Sequence, residues 1–107
     1  RFDIRNGNFG VRIAAAASDR ITAIDNGTVV LSLWTPETGY MVELQHANNL
    51  LSVYKGLSQS LVTTGQTIRA GEMVGYNAEA EEGGVRLFEF ELWNNGKPVD
   101  PEGYIVF

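Results

Sequence analysis

The sequence contains no cysteine and a single histidine, His46. The first absence excludes disulfides and thiolate metal sites. It leaves the compartment open, because cysteine-free chains occur among exported and cytosolic proteins alike. Basic residues are sparse: Lys55 and Lys97 are the only lysines, the six arginines are scattered, and the net charge is −5. A broad nucleic-acid surface is therefore not expected, since phosphate binding needs clustered Lys and Arg. No apolar run approaches the roughly 20 residues that a membrane-spanning helix requires. No signal-peptide pattern is present, and the chain opens on Arg1, which reads as a mature product or an excised piece of something longer. Helical periodicity is almost missing too.

What remains is alternation. Thr28 to Trp34 reads as a strand entered through the turn Asp25-Asn26-Gly27. In Tyr40 to Ala47 the residues Val42, Leu44 and His46 share one face, and Met41, Glu43 and Gln45 the other. Asn48-Asn49 makes a tight turn into Leu50 to Tyr54, which completes a hairpin. Leu87 to Trp93 is a further strand closed by Asn94-Asn95-Gly96. Pro98 and Pro101 mark an irregular C-terminal segment ending in Tyr104 to Phe107. Ala14 to Ala17 has helical propensity, but four residues are too few to nucleate a helix, so an extended or turn segment is expected. Ala78 to Gly84, with Glu79, Glu81 and Glu82, reads as a solvated loop. Acidic side chains without a converging turn do not make a calcium loop. The 44% apolar content suits one ordinary core over residues 1–107. The fold class expected is all-β, a compact domain of antiparallel sheets in a sandwich or barrel-sandwich arrangement.

Glycines punctuate short apolar steps between Gly65 and Gly75, as in a compact β fold with sharp turns. Lipoyl and biotinyl carrier domains contain similar segments. A carrier needs a lysine at an exposed, methionine-flanked hairpin tip, and neither Lys55 nor Lys97 has that setting.

Six segments, in this order and spacing, resemble the lysostaphin/LytM-type zinc endopeptidases of bacterial cell walls. They are Asn8 to Arg12, Asp25 to Val29, Thr38 to His46, Leu51 to Gly56, Gly65 to Gly75, and Phe90 to Pro101. The last is the most specific, because Phe-Glu-Leu-Trp, the Asn-Gly turn and the Pro-x-Asp-Pro exit follow the family's ending. The resemblance implies the fold named above, a cell-envelope, periplasmic or extracellular location, and a place near the C-terminus of a longer exported protein. An active member holds zinc through a His and an Asp of an early His-x-Gly-x-Asp motif and the second His of a late His-x-His motif. The first His of the late motif and another after the Tyr-rich strand serve the water and the transition state.

This sequence departs at all five positions. The ligand His and Asp of the early motif become Asn8 and Arg12, the late histidines become Leu87 and Glu89, and the remaining His becomes Gly56. Arginine stays protonated and repels a cation. Leu87 and Gly56 offer no donor, and one carboxylate is not a zinc site. The expectation is therefore no metal, no cofactor and no catalysis. Because Arg12 and Glu89 would replace two ligands of one ion, they are expected to meet as a salt bridge. His46, alternating with Val42 and Leu44, is read as a partly buried structural histidine. Glu89 and Glu91, two residues apart on one strand face, are read as exposed carboxylates rather than an acid–base pair.

The function implied is a non-catalytic peptidase-like module, a pseudoenzyme of the cell wall. It would bind a peptidoglycan peptide or a cell-envelope protein and regulate a murein hydrolase. Trp34, Tyr40, Tyr54 and Trp93 are candidate groove contacts, because aromatics supply contact area at low entropic cost; ordinary sheet packing is the competing role of each. The alternative is an active cell-wall metallopeptidase with an unusual site.

Overall fold

A computed structural model describes residues 10–16, 20–77 and 85–101. Nine strands run through them in chain order: β1 Gly10–Ala16, β2 Arg20–Thr22, β3 Gly27–Thr35, β4 Gly39–Gln45, β5 Leu50–Ser60, β6 Thr67–Ile68, β7 Met73–Asn77, β8 Val85–Asn94 and β9 Lys97–Val99. A single 3-10 turn, Ala47–Asn49, joins β4 to β5. The main path of the sheet is β1-β8-β5-β4-β3-β6, with β9 on β8 and a second branch of β2 and β7 on the far half of β5. Every pairing is antiparallel. The expected fold class is what the chain adopts.

The period-2 pattern fixes which face is buried. Val42 lies opposite Tyr54 and Tyr54 opposite Phe90; Leu44 lies opposite Ser52 and Ser52 opposite Leu92. All six are buried, and the Tyr54 and Phe90 rings pack with centroids 5.3 Å apart at a tilt of 60°. The chain curls the sheet around this face and covers it with Ile21, Val29, Leu57, Val62, Ile68 and Val74. A slip of one residue would exchange these side chains for Glu43 and Glu91, so burial and register enforce each other.

His46 sits at the edge of this core, at 5% exposure more deeply buried than its sequence pattern suggested. Its Nδ1 lies 2.7 Å from the Asn26 carbonyl oxygen and its Nε2 lies 2.7 Å from Ser52 Oγ. A carbonyl only accepts, so Nδ1 carries the proton, and in the neutral ring Nε2 accepts from Ser52. Ser52 Oγ and Tyr54 Oη lie 3.2 Å apart, and Tyr54 Oη accepts the Ile24 N–H at 3.1 Å. One chain of hydrogen bonds thus ties the turn before β3 to β4 and β5. Gly27 leaves room for it, because a Cβ there would lie 2.5 Å from the Gln45 carbonyl and 2.9 Å from His46 Nδ1.

Two sequence expectations change. Pro98 is part of β9, paired with Trp93, and not of an irregular tail. β9 is a short edge strand, where a missing N–H costs no ladder bond. The strand expected to end at Tyr54 continues to Ser60. It passes through a bulge at Gly56, whose φ is 81°, because Tyr40 pairs with Leu57 while Met41 pairs with Lys55. The extra residue bends β5 away from β8 and onto β7. The acidic segment Ala78 to Gly84 and the apolar end Tyr104 to Phe107 lie outside the described residues.

Candidate functional site

The other face of the same strands is polar. Three rows cross it. Leu33, Met41, Lys55 and Glu89 are successive neighbours on β3, β4, β5 and β8. Glu43, Val53 and Glu91 form the next row, and Gln45, Leu51 and Trp93 the third. Successive rows are two residues apart, about 7 Å along the strands. The face thus grades from apolar on β3 to charged on β5 and β8.

Its centre is Glu91, which is buried at 8% exposure, not exposed as its place in the sequence suggested. Lys55 Nζ approaches Glu91 Oε2 to 2.6 Å, and the Trp93 indole N–H donates to Oε1 at 2.9 Å. Both carboxylate oxygens are thus engaged, which makes burial of the charge tolerable. Lys55 reaches Glu91 diagonally, past its direct cross-strand neighbour Glu89, which stays exposed. Glu43, across Val53 from Glu91, has its carboxyl pushed above the usual 4.5. Its own burial is the main cause and repulsion from Glu91 adds to it, while Lys55 pulls the other way.

A cleft of about 310 Å³ opens beside this cluster, lined by Glu37, Thr38, Lys55, Gly56 and Glu89. One wall is the β3–β4 turn. Thr38 N donates to Thr35 Oγ1 at 3.0 Å, and Gly56 N donates to the Thr38 carbonyl at 2.8 Å. The turn is therefore fastened to the β5 bulge.

The cleft gathers several of the positions singled out in the sequence. Gly56 and Glu89 line it, and Arg12 is the direct cross-strand neighbour of Glu89 in the β1–β8 register. Residues so paired have Cβ atoms about 5 Å apart. The backbone therefore brings together the two residues expected to form a salt bridge. The Arg12 side chain itself lies outside the described part of the structure, as do the Leu87 side chain and the whole of Asn8. The ion pair that is described is Lys55 with Glu91. Nothing in the local sequence near Lys55 points to Glu91; only the β5–β8 register does.

The four aromatic candidates separate. Trp93 lies on the polar face. Tyr54 does not: at 1% exposure it belongs to the core, with its hydroxyl in the His46 chain. Trp34 and Tyr40 are cross-strand partners at the far end of the hairpin, in register with the core face but beyond its cover, and both are exposed.

The donor set does not suit a zinc ion. Glu89 brings one carboxylate, with a lysine as its neighbour on one side and an arginine on the other. Neither residue type is a zinc ligand. Gly56 has no side chain, and its φ of 81° disfavours one. Among the described residues no group of three or more His, Asp or Glu side chains converges in a way that could hold a metal.

The curled antiparallel sheet with a cleft on its polar face is the scaffold of the lysostaphin-like cell-wall peptidases. The sequence matches peptidase family M23 over residues 6–101, and the chain belongs to that family. Its relatives include the murein hydrolase activator EnvC of Escherichia coli, 27% identical over 90% of this chain and 23% of that protein. Helicobacter pylori Csd3 superimposes over 94% of this chain and 27% of the other, with a TM-score of 0.80 and 26% identity. The SpoIIQ–SpoIIIAH pore-forming complex matches over 81% of this chain and 58% of the other, with a TM-score of 0.69 and 29% identity. The chain spans well under half the length of the curated relatives it matches, 17–39% of each.

Proposed function

We propose that this domain is a non-catalytic M23 module of the bacterial cell envelope, which acts by binding rather than by cleavage. Its polar face engages a peptidoglycan peptide or an envelope protein and thereby controls a murein hydrolase, and it works without zinc. The observation that carries this reading is the cleft between Gly56 and Glu89. In the place where a peptidase of this fold needs imidazoles and an open metal position, the chain has a bulged glycine and a carboxylate between two cationic neighbours. The relatives fit the same reading: EnvC is a hydrolase activator, and SpoIIQ is found in a complex with a second protein.

The test has two parts. Purified without chelators, the domain is expected to contain no stoichiometric zinc. Incubated with peptidoglycan sacculi, it is expected to sediment with them or to raise the rate of an added murein hydrolase, while releasing no soluble muropeptide on its own. Bound zinc together with released fragments would overturn the proposal and establish an active endopeptidase.

A further inference from the structure

Among the described residues, five large apolar side chains are exposed: Val30, Leu33, Trp34, Tyr40 and Leu61. They gather in one place. Val30, Leu33 and Trp34 lie on β3, and Tyr40 is the cross-strand neighbour of Trp34. Leu61 follows Ser60, whose hydroxyl meets that of Ser32 on β3 at 2.7 Å. Apolar residues scattered singly over a surface are ordinary, but a gathered set marks an interaction site.

The strand that carries them is open along one edge. β4 pairs with β3 from Thr28 to Thr35. On the other side β6 covers only Gly27 and Thr28, and two backbone bonds tie Val29 to Gly65 and Gln66. From Val30 to Thr35, about 20 Å of strand, no described residue pairs with that edge. Exposed edges are usually guarded by charges, proline or bulges. The edge strand β9 has Lys97 and Pro98. β3 has neither a charged residue nor a proline, and its bulge lies between Val29 and Leu31, where the cover of β6 ends. Leu31 to Thr35 run in unbroken register with β4.

Such an edge accepts an added strand, and its own sequence points to which one. Val30-Leu31-Ser32-Leu33-Trp34 reads apolar, leucine, serine, leucine, apolar in both directions. Antiparallel pairing of two copies about Ser32 sets Leu31 against the partner's Leu33 and Val30 against the partner's Trp34. Leu31 and Leu33 both face the polar side of the sheet, beside Glu43 and Met41 of β4, as directly opposed residues must. No like charges meet across the pair, although the chain as a whole carries −5. We propose that β3 is a dimerisation edge, at which two copies of this domain pair antiparallel about Ser32 into one continuous sheet. The contact is small, at the low end of specific interfaces, under about 1,200 Å², so the dimer is weak and concentration-dependent. A two-fold axis normal to the sheet keeps both polar faces on one side, so the dimer presents two clefts to the same surface. The inference goes beyond the binding reading and does not depend on it, because association is measured with no ligand present.

Sedimentation velocity over about 1 µM to 1 mM is expected to show a reversible monomer–dimer equilibrium. Trp34→Glu changes a side chain that is 57% exposed in the single chain. It is expected to weaken the dimer at least roughly tenfold, because each dimer loses two packed indoles. Mixing this variant with Val30→Lys is expected to recover much of the association, since the lysine then faces the glutamate across the two-fold axis. Recovery also shows that both variants are folded. A parent that stays monomeric throughout would overturn the proposal and leave the edge to a strand of another protein. A dimer that Trp34→Glu does not weaken would place the contact elsewhere and overturn it too. So would a mixture that fails to recover while both far-ultraviolet spectra match the parent's, because the pairing about Ser32 would then be wrong.

Discussion

Replacing Lys55 by methionine keeps most of the stem and removes the charge that faces Glu91. At 2.6 Å the gross attraction is about 6 kcal/mol for an effective dielectric constant near 20. Most of it is offset by desolvation and by the entropy of holding the lysine. Breaking a fully buried pair costs about 3–5 kcal/mol, while an exposed pair is worth about 0–1 kcal/mol. With side-chain exposures of 27% for Lys55 and 10% for Glu91, this pair lies between those limits. We expect Lys55→Met to destabilise the domain by about 2 kcal/mol, a fall in Tm of roughly 8–15 °C at this chain length. The larger part is the cost of leaving Glu91 with only the Trp93 N–H. Glu91→Gln added to Lys55→Met should therefore restore much of the loss, making the double variant more stable than the sum of the single effects. Urea unfolding followed by tryptophan fluorescence at pH 7 measures all three variants. A loss under about 0.5 kcal/mol for Lys55→Met, within the range of ordinary surface changes, would refute the view that Lys55 neutralises a buried carboxylate.

Glu43 provides a pH test. Its carboxyl lies above the ordinary 4.5 in the folded protein, so the folded state binds the proton more tightly than the unfolded state does. Stability contributed at Glu43 therefore falls as pH rises from 4.5 through the raised value. Glu43→Gln should gain on the parent across that window in urea titrations, and a difference independent of pH would contradict this. Ser52→Ala removes the hydroxyl between His46 Nε2 and Tyr54 and strands a buried ring nitrogen. A loss of about 1–3 kcal/mol in the same assay is expected, and no loss would mean that His46 is satisfied without it. Gly56→His, which puts an imidazole at the position that the family resemblance assigns to a histidine, should bind no zinc by metal analysis. It should also lose about 1–2 kcal/mol, because a Cβ is disfavoured at a φ of 81°; zinc uptake at unchanged stability would contradict both statements.

The strands with an apolar side facing the core were legible because burial writes a period of two into the sequence. Val42, Leu44 and His46 alternate with Met41, Glu43 and Gln45, and the turns Asp25 to Gly27, Asn48-Asn49 and Asn94 to Gly96 bound the strands. β2 was not legible: three residues, one of them buried, give no period to detect. The far half of β5 was hidden because the bulge at Gly56 breaks the alternation. The family resemblance singled out Gly56 and Glu89, which line one cleft, and the register brings Arg12 opposite Glu89. The Lys55–Glu91 pair was out of reach, because it joins residues 36 positions apart on strands whose relative register no local pattern encodes. For the same reason Glu91 reads in sequence as one more surface carboxylate. For Tyr54 the sequence offers both a groove contact and ordinary sheet packing, and its 1% exposure decides for packing.

The bulge at Gly56 also bears on history. Here the chain carries one residue more than its partner strand at this position, in a conformation that favours glycine. A lineage moving toward a metal centre by single substitutions would lose stability at Gly56 before any ligand set was complete. It would also have to remove the cationic neighbours of Glu89, one of which holds Glu91. Each such step is unfavourable on its own, so substitutions toward a metal centre at Gly56 and around Glu89 would cost stability before they brought a ligand set together.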